Sequence, residues 1–514
     1  MNKYIVIICC LFFYSPAVAE TSETSSVQIG KTKYIGIYDT ENNQFIFRGI
    51  PYAKPPIGEL RWKSPVPLST DPNVINAQSF KPACMQDEYT TVWYQDVAEL
   101  FGNPRDVFQH VDAVSEDCLY LNIWTNSLDQ TSKKPVMVWV HGGADTGGWS
   151  YEPNYLGHHL ASKNVVVVSI NYRLNIFGFF AHPQMSNQTG NFGLEDEILA
   201  LQWVKDHIAA FGGDPKNITY FGESAGGAHV SYLIASPMGK GLFKRGIIQS
   251  GAYNLFNWTS KDKAEELGLK TQTILNAPDL QTMKTLSAEN ILSASIDLNH
   301  PYGPNIDGAL IPNNLTNLFE EGSFNNVDLM IGSNKNEDYM YIDESVTEKD
   351  INRLIENYYP EYRDKILSWL DLEDPRLAMD HLTTNQVTLC PSVFIARSLS
   401  KNGNNVYQYH FTRMREGSEK ILSYHGAEIP YVFNTHDEWL PSNEDDTQLT
   451  EAMMEYWVEF AKKGTPNSIN NPTWKEFGTE ESYLILDLPL ESSAKLENEF
   501  CEIMIDEMLK RTSR

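Results

Sequence analysis

Phe221-Gly222-Glu223-Ser224-Ala225-Gly226-Gly227 follows a β-rich run, Asn217 to Tyr220, and opens an amphipathic one, Ala228 to Ile234. A serine centred in Gly-x-Ser-x-Gly between a strand and a helix sits on a sharp turn that exposes its hydroxyl. Such a turn needs Gly222 and Gly226, because two backbone segments approach there with no room for a Cβ. The helix behind the serine aims the positive end of its dipole at any negative charge developing beside Ser224. The pentapeptide alone recurs by chance, so the segments around it decide the reading.

Upstream, Pro135 to Val140 (PVMVWV) is a short, wholly apolar run that reads as a buried parallel strand, and it ends in His141-Gly142-Gly143-Ala144-Asp145. A second such strand, Asn164 to Ile170, leads to Asn171-Tyr172-Arg173. A helix follows from Leu194 to Ala210, with Leu194, Ile198, Leu201, Val204 and Ile208 on one face. Glu195, Asp196 and Glu197 enrich its first turn and Gly212-Gly213 stops it. Strand and helix thus alternate, the pattern of a mostly parallel sheet covered on both faces. Nearer the N-terminus, Phe45 to Pro67 carries five prolines and reads as an extended surface segment, while Ser115 to Trp124 runs into a strand. Beyond Gly251 polar helical segments suit a cap over the sheet. Val327 to Ile331 and Val406 to Phe411 supply two more strands. Thr447 to Lys463 reads as a helix with Met453, Trp457 and Phe460 on one face, capped by Gly464 and stopped by Pro466.

A serine hydroxyl becomes a competent nucleophile only when a base removes its proton, and the base needs a carboxylate to hold its tautomer. On this arrangement the partners follow the serine in the order acid, then histidine. Glu337, after the Val327 strand, and His425, in a loop after the Val406 strand, stand in that order. Negative charge on a carbonyl oxygen also needs fixed N–H donors, each worth roughly 3–4 kcal/mol. Ala225, next to the serine, supplies one, and Gly142, Gly143 and Ala144 supply others.

The chain opens as an export signal, with Lys3, an apolar run from Tyr4 to Tyr14, and the small-x-small site Ala17-Val18-Ala19. That apolar run is too short for a membrane span, which needs roughly 20 residues. Residues 1–19 are therefore expected to be a signal peptide, residues 20–514 one domain, and the product secreted or periplasmic. A net charge of −27 argues against nucleic acid as a partner and could draw cations toward a cleft. Beyond the signal, four cysteines remain, Cys84, Cys118, Cys390 and Cys501. An even count in an exported chain points to disulfides, with three pairings open. No spacing of cysteine or histidine supports a metal site.

The density of motifs resembles the type-B carboxylesterase/cholinesterase family over residues 27 to 510. The matching blocks include FRGIPYAKPPIGELRW (47–62), SEDCLYLNIW (115–124), NYRLNIFGF (171–179), ITYFGESAGG (218–227), GSNKNED (332–338) and HGAEIPYVF (425–433). The resemblance implies an α/β-hydrolase fold, a large mostly parallel central sheet flanked by helices with helical cap insertions. It also implies a serine carboxylesterase acting on a small-molecule ester without cofactor or metal, with a cholinesterase-like hydrolase, a lipase-like hydrolase and a non-catalytic binding protein as alternatives. It leaves the oligomeric state open. It assigns Ser224 as nucleophile, Glu337 as acid, His425 as base, and Gly143, Ala144 and Ala225 as oxyanion donors. Glu223 matches a supporting acid beside the serine. It pairs Cys84 with Cys118 and Cys390 with Cys501. Two departures bear on substrate. Asp145 follows the donors where an aromatic residue is usual, so it either meets a cationic substrate group or points away. Phe108 stands where cholinesterases carry a choline-stacking tryptophan. Met340 and Tyr341, together with Tyr339, are expected in the substrate wall.

Overall fold

In a computed structural model, residues 22–68, 73–185, 187–256, 258–298 and 302–512 are described. The expected signal peptide, residues 1–19, lies outside them. Thirteen strands among the described residues form one sheet. In chain order they are β1 (Ser22–Ile29), β2 (Thr32–Asp39), β3 (Gln44–Pro51), β4 (Asn73–Asn76), β5 (Tyr120–Thr125), β6 (Lys134–Val140), β7 (Val166–Ile170), β8 (Gly213–Glu223), β9 (Arg245–Gln249), β10 (Asp328–Asn334), β11 (Val406–Phe411), β12 (Ser482–Leu486) and β13 (Glu491–Ala494). Their spatial order is β1-β2-β3-β5-β7-β6-β8-β9-β10-β11-β12-β13, with β4 paired to β2. From β7 to β12 every neighbouring pair is parallel, and antiparallel pairs close both ends.

The continuous apolar runs are explained by burial on both faces. Along β6, Val136, Val138 and Val140 enter one core cluster, while Met137 and Trp139 enter the other. β8 divides in the same way, with Ile218 and Tyr220 on one face and Phe221 on the other. Helices that matter to the site are α1 (Tyr89–Leu100), α2 (Phe192–His207), α3 (Ala225–Ala235), α4 (Pro375–Thr384), α5 (Cys390–Lys401) and α6 (Glu444–Lys463). All of α3 is buried, so each of Val230, Leu233 and Ile234 contributes about 1.5–3 kcal/mol of hydrophobic burial. α6 carries a capping box at its start, where the Asn443 and Asp446 side chains satisfy each other's backbone N–H, and ends at Gly464 with φ 80°. Met453, Trp457 and Phe460 are fully buried on it.

One expectation needs correction. The segment from Phe45 is not a surface strap throughout. β3 lies inside the sheet with Phe47 and Ile50 fully buried, and only the proline-rich half beyond it is irregular. The acidic first turn of α2 is buried. Asp196 and Glu197 are fully buried and Glu195 nearly so, and the first two find buried partners in place of solvent. The Arg173 guanidinium meets Asp196 through two bonds of 2.7 Å. Disulfides join Cys84 to Cys118 and Cys390 to Cys501. Among the described residues no helix is long and apolar enough to cross a membrane.

Candidate active site

Parallel strands deliver their loops to one edge, and four of them converge here. β6 and β8 are in register with Val140 opposite Gly222, so the loop after β6 meets the turn after β8. That turn is as tight as its glycines demand. A Cβ on Gly226 would lie 2.2 Å from the Val140 carbonyl oxygen, and one on Gly222 would lie 2.6 Å from the Gly226 carbonyl carbon. Ser224 is held at φ 55° and ψ −125°, a backbone conformation that a non-glycine residue adopts only under strain. Its own N–H donates to the Gln249 carbonyl at 2.9 Å, tying the strained turn to β9.

The loop after β10 turns Glu337 back onto its strand, where one carboxylate oxygen accepts the Asn334 N–H at 2.7 Å. Its other oxygen lies 2.6 Å from His425 Nδ1, and His425 Nε2 lies 2.8 Å from Ser224 Oγ. With Glu337 ionised, Nδ1 carries the proton that bonds it and Nε2 is left to accept from the serine. Gly143 and Ala144 line the cavity in front of Ser224, both with positive φ (102° and 55°). Among the described residues no backbone carbonyl takes the N–H of either one. Ala225 is the first residue of α3, where a helix leaves its N–H groups unsatisfied.

Glu223 also faces the cavity, with Oε1 3.3 Å from His425 Nε2. Burial pushes its carboxyl up to about 8, and the neighbouring Glu428 and Glu337 add to the rise while His425 opposes it. Burial opposes charge on His425, but the carboxylates of Glu223 and Glu337 outweigh it and lift the imidazole above its usual range. The pair Glu223–His425 therefore loses its protons in two linked steps. Glu223→Gln removes the carboxylate that favours the imidazolium. The pH at which His425 becomes fully neutral should then fall, moving the upper step of the kcat/KM profile to lower pH. Rates measured from about pH 5 to about pH 10 check this, and an upper step that stays or rises would contradict it.

The cavity has a volume of about 360 Å³. Its wall is aromatic, built by Trp93 and Tyr94 of α1 with Tyr155, Tyr253 and Tyr341. The indole N–H of Trp93 donates to the Tyr341 hydroxyl at 2.7 Å and braces the mouth. A π-helical turn between α4 and α5 (Asn385–Leu389) contributes Val387 and Thr388. Glu152, another acid of the wall, is pushed up to about 7 by burial, against the Tyr94 hydroxyl that donates to it at 2.6 Å.

Other expected substrate contacts lie elsewhere. The Phe108 ring is behind Tyr94, stacked on it at 4.1 Å and outside the cavity. Met340 is half-buried and packs against a core cluster, and Tyr339 lies under the Arg376 guanidinium at 4.2 Å. Asp145 turns away from the cavity and accepts from His229 Nε2 at 2.7 Å. The aromatic face of α1 escaped the sequence reading. Its signal was present as the helical pairs Tyr89/Trp93 and Thr90/Tyr94, four residues apart.

Comparison with known proteins agrees with this architecture. The model of the carboxylesterase family matches residues 24–504. Carboxylesterase 1D of Mus musculus is 32% identical, covering 94% of this chain and 93% of its own length. Liver carboxylesterase of Sus scrofa is 32% identical over 97% of this chain and 94% of its own. Among solved structures, a PNB esterase superposes with TM-score 0.80 and 29% identity, covering 93% of this chain and 99% of its own. A carboxylesterase of Geobacillus stearothermophilus gives the same values. The α/β-hydrolase fold is common to these proteins and this one, and the chain belongs to the carboxylesterase family as a carboxylic ester hydrolase.

Proposed function

We propose that the protein is a secreted serine carboxylesterase that works through an acyl-Ser224 intermediate. The observation that carries this is the unbroken chain Ser224 Oγ–His425–Glu337, at 2.8 and 2.6 Å, opening on the aromatic cavity. His425 Nε2 takes the serine proton as Oγ bonds to the ester carbonyl carbon. The carbonyl electron pair moves onto oxygen, facing the N–H groups of Gly143, Ala144 and Ala225. Collapse breaks the bond to the alcohol oxygen, which leaves with the proton held by His425. Water then repeats the cycle on the acyl-serine and releases the acid. Glu337 holds the imidazole in position through its bond to Nδ1.

The same wall speaks to substrate. Four acids line it beside the reacting serine, Glu152, Glu223, Glu337 and Asp338, and among the described residues no lysine or arginine does. Neutral or cationic esters suit it better than esters bearing a carboxylate. With Phe108 behind Tyr94 and Asp145 turned away, neither residue offers the contact expected of a cholinesterase-like site. One domain over residues 20–514 carries the chemistry, supported by the 13-stranded sheet whose strands run from residue 22 to 494. Export through residues 1–19 is supported by the two disulfides, which persist in oxidising compartments.

The test is hydrolysis of p-nitrophenyl esters from acetyl to decanoyl, with Ser224→Ala as control. A cavity near the low end of the roughly 300–1,000 Å³ range of small-molecule pockets should give a short-acyl optimum. Turnover should vanish in the control. Undiminished turnover by Ser224→Ala would refute the acyl-serine reading, and a decanoyl optimum would refute the short acyl pocket.

A further inference from the structure

Beneath the oxyanion loop lies a buried chain of charges that the proposed reaction does not use. Asp145 directly follows Gly143 and Ala144, and its carboxylate accepts from His229 Nε2 at 2.7 Å. The other ring nitrogen, Nδ1, lies 2.6 Å from a Glu197 oxygen on α2, and the second Glu197 oxygen accepts from the Tyr220 hydroxyl at 2.7 Å. His229, Glu197 and Tyr220 are fully buried, and the Asp145 side chain is only 14% exposed.

Both ring nitrogens of His229 thus face carboxylates, and an imidazole can donate to both only as the cation. Burial opposes that charge, but Glu197 and Asp145 outweigh it and lift His229 to about 10. Around the ring stand Tyr172, Phe179 and Tyr232, with His141 as a further titratable neighbour and Tyr253 near Asp145. None of them is a second cation. An imidazolium between two buried carboxylates is a costly device if stability alone is served, and such groups are better suited to fixing one geometry.

Placement shows which geometry. His229 is one turn into α3, the helix whose first residue is Ala225, and Asp145 sits on the loop that holds Gly143 and Ala144. The ion pair therefore ties together the two backbone segments that bear the N–H donors. The loop needs such a tie. Ala144 and Asp145 both lie at positive φ, 55° and 59°, which non-glycine residues leave when nothing holds them. A second tether acts on the same residue, since the Asp145 carbonyl accepts the Asn175 N–H at 2.6 Å.

We propose that Asp145 and His229 are positioning residues, an ionic brace that sets the oxyanion loop against the start of α3 before substrate binds. The inference rests on the acyl-serine reading of the site. It explains why a carboxylate is tolerated beside a developing oxyanion, since its charge is directed at His229 and compensated there.

The brace predicts a loss confined to the transition state. Asp145→Asn keeps the shape but removes the charge, and kcat should fall about 10- to 100-fold with KM unchanged within about twofold. Affinity for a trifluoromethyl ketone, which adds to Ser224 and places an oxyanion on the loop, should weaken in proportion. Affinity for the matching methyl ketone, which binds without that charge, should not change. Adding His229→Gln should cost no more than about a further threefold, because the two act as one unit. Asp145→Ser carries the same expectations if the asparagine variant does not fold.

A folded Asp145→Asn enzyme with kcat within about twofold of the parent would overturn the brace, as would equal weakening of both ketones. Ser224→Ala separates the two readings. Activity surviving in that variant sinks the acyl-serine mechanism itself. A dead Ser224→Ala beside an unaffected Asp145→Asn sinks the brace alone.

Discussion

Replacing His425 by alanine is expected to lower kcat on a p-nitrophenyl ester by about 10⁵- to 10⁶-fold, with KM little changed. The base is the only group within hydrogen-bond reach of Ser224 Oγ among the described residues, at 2.8 Å, so nothing else can take the serine proton. Glu223 is near His425 but does not bond the serine, and burial pushes its carboxyl toward the neutral form. It cannot substitute as a base. Combining His425→Ala with Ser224→Ala should add almost nothing, because nucleophile and base act as one unit. Glu337→Gln should cost less, about 10⁴-fold, by presenting the wrong hydrogen-bond partner to Nδ1. The checks are steady-state rates on one ester and thermal unfolding to confirm the fold. A His425→Ala enzyme within about tenfold of the parent would rule out His425 as the base.

The chain's own pattern reveals the sheet because burial on both faces leaves uninterrupted apolar runs. β6 and the valine run of β7 are legible for that reason, whereas β11 interleaves Gln408 and His410 with its apolar residues. The hydrogen-bonded trio follows the expected order along the chain, since each residue lies in the turn or loop after a strand of the same parallel set. Burial of charge is not legible. Glu195-Asp196-Glu197 looks like a solvated helix start, and only the packing of Arg173 and His229 against α2 shows otherwise. Asp145 looks like a substrate contact for the same reason, because its partner lies 84 residues away. Phe108 illustrates a different limit. Counting along the chain locates its backbone, but whether a ring lines a cavity depends on the layer in front, here Tyr94. Wall residues from separate elements, such as Tyr253 and Val387, leave no local pattern at all.

Arg173→Met is expected to destabilise the folded protein by about 3–5 kcal/mol, the cost of leaving a buried carboxylate without its cation. Arg173 follows β7 and is 3% exposed, while Asp196 on α2 is not exposed at all. The guanidinium meets the carboxylate bidentately, the Arg173 N–H donates to the same carboxylate at 3.0 Å, and Nη1 reaches the Lys63 carbonyl at 2.9 Å. One side chain thus joins β7, α2 and the proline-rich segment, and its methionine replacement fills space but satisfies none of these partners. The pH dependence follows from the carboxyl that remains. Burial already raises Asp196 above the usual carboxylate range, with Arg173 opposing the rise. Without Arg173 the folded-state value rises further, while the unfolded value stays near about 3.9. A group raised in the folded state contributes stability only where it is protonated, so the variant loses stability as pH climbs above the unfolded value. Urea unfolding should therefore show the largest gap between variant and parent at alkaline pH, and a gap that narrows toward about pH 4. A gap that is constant with pH would mean that lost packing, rather than the unpaired carboxylate, sets the cost. The Asp196→Asn partner variant sharpens the distinction, because it leaves a buried cation instead, and its gap should not grow with rising pH.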